Sequence, residues 1–374
     1  MDHKRRKRVL LVIRYPVGGI RTYLKYIYSQ NIFDDIDFTV VCPDPNMESY
    51  FGKIFYRNSL EYITCNNSRD MFTSVYIYLS TKKVNLVHSH GFTAGSICSL
   101  ATIIKPLPHI MTAHDVFLTK QFEGVRGTVK KRILGYLFSK ITFIHTVSHD
   151  ATDNFMQYMA PVNEDQIKCI PHGIDAETFF HAEKTALDIQ LESDNTCLIG
   201  FFGRFMAQKG FKYLVDAIEI IVKENRTIKQ PLVLTFDWGG FVREEYDLIK
   251  RRGLSSYFRM MDYTENVPAM IKSMDIVAMP SLWESSGLLA MESLVAGVPI
   301  VGASCIGLRE VLADTPAIIV PPADSSALAE ALAKEINTPT YEAFQKYSTV
   351  ARKKFSLARP ALELKKLYDQ LLSI

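Results

Sequence analysis

No two of the six cysteines, Cys42, Cys65, Cys98, Cys169, Cys197 and Cys305, form a CxxC pair or a metal-ligand spacing. A disulfide scaffold and a structural zinc site are thereby excluded, and reduced thiols in a cytosolic protein are expected. Long hydrophobic runs are missing too. The best candidate, residues 133–147, is interrupted by Lys140 and His145 and falls short of a bilayer span. The first residues carry charge but no apolar core of a signal peptide, so no secretory signal is expected. Charge is close to balanced, with 43 Lys and Arg against 40 Asp and Glu and a formal net charge of +3, which is too small to argue for a nucleic-acid partner. The loop after the first apolar run lacks GxGxxG, which weighs against a nicotinamide dinucleotide.

What is present is alternation. With 374 residues and 48% hydrophobic composition, the chain can bury two domain-sized cores. Strand-like runs at residues 9–13, 37–42, 85–88, 109–112, 141–147 and 167–171 are separated by helical stretches such as 20–29 and 69–82. This pattern predicts an α/β fold with parallel sheets covered by helices on both faces. Residues 180–195 are polar and irregular, as a linker would be, and the sheet pattern restarts at 196–202 and continues at 232–236, 257–261, 275–279 and 298–302. Helices are expected at 327–336, 341–354 and 359–372. The last carries Leu362, Leu364, Leu367 and Leu371 at helical spacing. The expected domains are 1–180 and 181–354, followed by the C-terminal helix at about 355–374.

Ligand-binding residues of such sheets gather at the carboxyl ends of the strands. After the first strand, Gly18 and Gly19 let the backbone approach a phosphate or sugar, with Arg21 as countercharge; a plain tight turn fits the same residues. His88, His90 and the pair His114-Asp115 end two further strands. No third ligand completes a zinc pattern, so the reading stays between a ligand contact and a histidine satisfying loop carbonyls. Gly203, Arg204 and Lys209 share one loop, where the two cations suit phosphate. The stretch 280–297, PSLWESSGLLAMESLVAG, reads as a loop entering a helix whose first turn holds Ser286, Gly287 and Leu288. An anion fits such an N-terminus. Glu284 and Glu292 flank the turn, about 12 Å apart along a continuous helix, although two solvated glutamates at an ordinary helix start fit as well. Basic residues cluster at Lys4, Arg5, Arg6, Lys7 and Arg8, and again in 126–132, RGTVKKR. Either cluster suits a solvated surface or an anionic membrane.

Glu284 and Glu292, with seven residues between them after Pro280-Ser281, resemble the E-x7-E signature of retaining GT-B glycosyltransferases, family four. G-R-x4-K-G at 203–210, the AHD around His114, and CIPHGIDAETF at 169–179 also resemble that family, in the right order and over nearly the whole chain. Ser285 and Ser286 stand where the family more often has bulkier residues, and Asp237-Trp238 precede Gly239-Gly240 where its glycine pair lies nearer the strand.

The resemblance implies two doubly wound Rossmann-like domains facing across a cleft, with the last helix returning to the first domain. It implies a retaining, metal-independent hexosyltransferase moving sugar from a UDP- or GDP-sugar to an acceptor hydroxyl, with no cofactor. His114, Arg204, Lys209 and Glu284 would be catalytic. Gly18, Gly19, Asp115, Gly203, Tyr263, Ser285, Ser286, Gly287, Leu288 and Glu292 would bind the donor, and Arg21 and His90 would lie on the acceptor side. A glycan or lipid-linked acceptor, bacterial-type surface polysaccharide, lipopolysaccharide or glycolipid synthesis, and a cytoplasmic location at the inner face of the plasma membrane are expected. The alternatives are a nucleotide-sugar epimerase of the same fold and a non-catalytic nucleotide-sugar binder.

Overall fold

Runs of Val, Ile and Leu with no polar interruption, such as the VLLVI of residues 9–13, are stable as strands only where both faces are covered. In the computed structural model, which describes residues 6–187, 189, 195–236 and 242–373, those five residues have no solvent exposure. They form most of β1 (Lys7–Ile13), the centre of a parallel sheet. Its companions are β2 (Ile36–Cys42), β3 (Leu60–Thr64), β4 (Leu86–His90), β5 (His109–Ala113), β6 (Phe143–Thr146) and β7 (Ile167–Cys169). Their order is β3-β2-β1-β4-β5-β6-β7, and Val9 pairs with Phe38 on one side and Leu86 on the other. A second parallel sheet contains β8 (Thr196–Phe201), β9 (Gln230–Phe236), β10 (Phe258–Met261), β11 (Ile276–Met279), β12 (Ile300–Ala303) and β13 (Ile318–Val320), in the order β10-β9-β8-β11-β12-β13. In each sheet the strand order reverses beside the first strand, between β1 and β4 and between β8 and β11. Ligands of open α/β sheets bind at this place.

The chain divides into two units. One runs to His172 and resumes at Leu357; the other spans Gly173–Ser356. The first boundary therefore falls before 180. Ile174 donates its N–H to Phe355 O at 2.9 Å and bridges Ser356, and Glu177 pairs with Arg352, which ties the helix Ala176–Phe180 to the second unit. Residues 188 and 190–194 of the expected linker, and Asp237-Trp238-Gly239-Gly240, lie outside the described residues.

The helix Ala358–Leu372 packs on the first unit's core. Ala361, Leu364, Tyr368 and Leu371 meet Leu24, Ile27, Tyr28, Phe33 and Phe38. Lys365 is held by Asp35 at 3.2 Å and Asp369 at 2.6 Å. Both described arginines of the N-terminal basic run are paired: Arg6 faces Asp37 at 3.6 Å, and Arg8 faces Asp37 and Glu61. Lys4 and Arg5 lie outside the described residues. All six cysteines are free thiols.

Leu364 has no exposed surface, so Leu364→Ala is expected to lower the stability of the first unit by about 2–5 kcal/mol through lost burial and a residual cavity. Urea unfolding measures the loss, and hydrogen exchange should rise in β1, β2 and β4 while β8, β9 and β11 keep their protection.

Candidate active site

In the second unit the loops that leave β8 and β11 meet at the strand-order reversal. The loop after β8 carries Gly203, Arg204 and a short 3-10 turn, Ala207–Lys209. Gly210 follows in the left-handed region at φ 67°, and a Cβ there would come within 1.9 Å of Pro280 O. A glycine is thus what lets the two loops touch. Leu282 N–H donates to Gln208 O at 2.8 Å, and the Gln208 amide returns a bond to Trp283 O at 3.0 Å. On this framework Lys209 Nζ reaches Glu284 Oε1 at 2.7 Å, and Ser281 Oγ donates to the same oxygen at 2.8 Å.

Glu284 and Glu292 are each 8% exposed, so the reading of two solvated glutamates does not hold. Carboxylates this buried require partners, and Glu284 has Lys209 and Ser281. Burial, and then the same carboxylate, pushes the Cys305 thiol up to about 12. Arg204 is half-buried, with no ion-pair partner among the described residues. The helix begins later than the sequence suggests. Gly287 is a left-handed N-cap at φ 59°, the helix runs Leu288–Ala296, and Ser285 and Ser286 belong to the preceding loop. Glu284 is therefore not on the helical axis, and the 12 Å spacing along a continuous helix does not apply. Ala290 N–H donates to Gly287 O at 3.0 Å, which leaves the Leu288 and Leu289 amides of the first turn without intrahelical partners. Tyr263 is exposed beyond β10.

The first unit places the remaining candidates around one group of rings. Gly18 is the N-cap of the helix Gly19–Tyr28, and the Arg21 guanidinium lies over the Tyr50 ring at 4.5 Å. His90 ends β4, and His114 follows β5. His90 Nδ1 and His114 Nε2 are 3.0 Å apart. Asp115 accepts the N–H of Val116 at 2.8 Å. Behind this pair stands a wider group, of which sequence reading selected His88 but not Tyr23, Tyr28, Thr112, His145 or Tyr368. His88 is bonded to Thr112, Tyr28 and Tyr368, and His145 to Thr112 and Ile170 O. The Tyr23 ring lies 4.9 Å from His114 and 4.7 Å from His172. The tyrosines sit at core-like helical positions, so nothing in their spacing separates them from packing residues. Arg14, directly after β1, has a buried Nε without a hydrogen-bond partner among the described residues. A cation between a buried strand and Pro16 was the signal available for it.

The imidazoles are neutral. Burial, then neighbouring rings, lowers His88, His90 and His114 well below the ordinary histidine range, and burial brings His145 to about 4 and His172 and His109 to about 3. Among the described residues no three His, Cys, Asp or Glu side chains converge to hold a metal ion. Several ring nitrogens that would be ligands are engaged in hydrogen bonds with one another.

Family models match both units. Residues 17–178 match the model described as Glycosyltransferase Family 4, and 196–337 match Glycosyl transferases group 1. A 41.2 kDa uncharacterised protein of the cps region of Klebsiella pneumoniae is 23% identical, over 79% of this chain and 81% of its own. The Escherichia coli UDP-Gal:alpha-D-GlcNAc-diphosphoundecaprenol alpha-1,3-galactosyltransferase is 23% identical, over 68% of this chain and 66% of its own. Among solved structures, Anabaena HepE in complex with UDP and glucose superposes with a TM-score of 0.80 at 18% identity, covering 97% of this chain and 100% of that one. Sucrose-phosphate synthase of Thermosynechococcus elongatus also gives 0.80, at 16% identity, covering 98% and 100%.

Histidines held neutral by the fold destabilise it in acid. Their folded pKa values lie below the unfolded value of roughly 6.5, so the stability they contribute is complete above that pH and is lost as pH falls toward about 4. Each such histidine contributes a slope of up to about 1.4 kcal/mol per pH unit in that window. Urea midpoints are expected to drop between pH 7.5 and pH 5.5, with the first unit unfolding before the second; equal midpoints would contradict the neutral cluster.

Proposed function

The chain belongs to the group 1 glycosyltransferases of GT-B fold, and from that premise we propose that it transfers a hexose from a UDP- or GDP-sugar to an acceptor hydroxyl with retained configuration and without a metal ion. One observation carries this reading. The loop after β8 and the loop after β11, far apart in sequence, meet through Lys209 and Glu284 beside a helix N-terminus. Breaking a glycosidic bond to a diphosphate leaves growing negative charge on the leaving group, which fixed donors must meet. Arg204 supplies a planar cation with no carboxylate partner among the described residues, Lys209 a point charge, and the Leu288–Ala296 helix its first-turn amides. Gly203, Ser285, Ser286, Gly287 and Leu288 bring backbone to the diphosphate, Glu284 and Glu292 take donor hydroxyls, and Tyr263 lies by the base. Gly18, Gly19, His114 and Asp115 serve the sugar and phosphate, and Arg21 and His90 the acceptor side. Because the departing phosphate can itself take the acceptor proton, no paired carboxylates of the glycosidase kind are required.

The named relatives support a nucleotide-sugar donor and a role in surface polysaccharide, lipopolysaccharide or glycolipid synthesis. A lipid-linked acceptor at the inner face of the plasma membrane fits the helix Gly124–Phe138. Val125, Val129, Ile133 and Tyr136 are all exposed and fall on one stripe, with Arg126 and Arg132 on its two edges. The opposite side, with Gly127, Leu137 and Phe138, is buried, so the helix is apolar both toward the fold and outward. No helix among the described residues is long and apolar enough to cross a membrane.

Nucleotide release from UDP- or GDP-sugars that requires an acceptor is expected, and Lys209→Ala should lower turnover by about 10²-fold or more. Tight donor binding without acceptor-dependent release would instead make the chain a binder. Cosedimentation with vesicles containing anionic lipid should fall as salt rises and should be lost in the double variant Val125→Ser, Ile133→Ser. Equal sedimentation of wild type and variant would remove this helix from membrane contact.

A further inference from the structure

Protons in the buried histidine group of the first unit cannot be assigned independently, because one end of the group is fixed. His145 Nε2 lies 3.1 Å from Ile170 O, and a carbonyl only accepts, so in this neutral ring Nε2 carries the proton and Nδ1 the lone pair. Thr112 Oγ1, 3.0 Å from that Nδ1, donates its single proton there. Its oxygen then accepts from His88 Nε2 at 2.7 Å, which leaves His88 Nδ1 as an acceptor. The Tyr368 hydroxyl, 2.6 Å away, donates to it. Tyr28 in turn donates to the Tyr368 oxygen at 2.8 Å, and the Tyr28 oxygen accepts from His90 Nε2 at 3.3 Å. The reverse assignment, Tyr28 donating to His90, leaves either the Tyr28–Tyr368 contact or both hydroxyl contacts of His88 Nδ1, at 2.6 and 3.0 Å, without a proton. His90 Nδ1 is therefore a lone pair, and it accepts from His114 Nε2 at 3.0 Å. His114 Nδ1 is left as a lone pair with no hydrogen-bond partner among the described residues. It is also not among the buried unpartnered atoms, so it reaches the surface of the half-buried ring.

We propose that Tyr28, Thr112 and His145 are positioning residues that lock His114 as its Nε2–H tautomer, with Tyr368 completing the network without being required for it, so that Nδ1 meets the donor sugar solely as a hydrogen-bond acceptor. The proposal rests on the reading of His114 as a sugar contact, and it extends that reading to substrate class. An acceptor nitrogen favours a sugar that presents a hydroxyl there and disfavours one that presents a carboxylate, which has no proton to donate and repels the lone pair. His145 on β6 thus sets the chemistry of a residue after β5 through five intervening hydrogen-bonding side chains, Thr112, His88, Tyr368, Tyr28 and His90.

Long-range proton–nitrogen spectra of the full chain with 15N-labelled histidine test the lock without any substrate, the His114 signals being identified by their loss in His114→Gln. The expected wild-type pattern is pyrrole-like Nε2 and pyridine-like Nδ1. Tyr28→Phe removes the acceptor of the His90 proton and should mix or invert the His114 tautomer. Tyr368→Phe should not, since Tyr28 can then donate to His88 Nδ1 at 3.0 Å while still accepting from His90. A pyrrole-like Nδ1 in the wild type, or a tautomer unchanged in Tyr28→Phe, would overturn the proposal; if Tyr28→Phe does not fold, the wild-type spectrum alone decides. A binding measurement separates the lock from the reading it serves. Tyr28→Phe should weaken a UDP- or GDP-hexose about tenfold, the scale of one hydrogen bond, and leave the bare nucleoside diphosphate unchanged. A shifted tautomer with both affinities unchanged would support the lock and remove His114 from sugar contact.

Discussion

The bond between Lys209 and Glu284 holds together the two loops that leave β8 and β11 in the second unit. The two residues are 75 positions apart and become neighbours because β8 and β11 are adjacent where the strand order reverses. The lysine side chain is 29% exposed and the glutamate 10%, so the pair is too sheltered for either charge to remain without the other. Removing one partner does more than delete a contact; it leaves a buried charge unanswered and loosens both loops. The lysine is thus committed to the carboxylate within the fold itself. Arg204, on the same loop, has no such partner among the described residues.

The first unit handles polarity differently. Where the second unit buries opposite charges, the first buries neutral rings and hydroxyls bonded in sequence, with His145 anchored on a backbone carbonyl and His114 at the outer end. Neutral groups avoid most of the desolvation cost of ions and keep their order only if every member has one proton to give and one lone pair to fill. That makes the arrangement rigid in orientation but sensitive to acid.

Much of this could be read from the chain and some of it could not, for physical reasons. Continuous apolar runs such as residues 9–13 and 276–279 have few conformations open to them, and the strands lie where those runs are. β3 escaped notice because it is a half-buried edge strand containing Glu61, and β13 because three residues make no period. The family resemblance implies that Lys209 and Glu284 serve one site; that they pair directly is seen only in the structure. The start of the neighbouring helix was misplaced because Gly287 adopts a left-handed cap that composition does not reveal. Tyr28 and Tyr368 were invisible as anything but core, since the feature that distinguishes them is a hydroxyl aimed at His88 across 60 and 280 positions of chain.

The seat occupied by Leu364 and Tyr368 has a consequence during synthesis. Residues up to His172 leave the ribosome with a sheet whose one flank, beside Leu24 and Tyr28, still lacks its cover. The second unit contains all of its own strands and can close first, although it is made later. The earlier unit has to wait, apolar side showing, until the helix from Ala358 emerges and docks. A chain shortened before that helix would therefore lose the half of the molecule translated first.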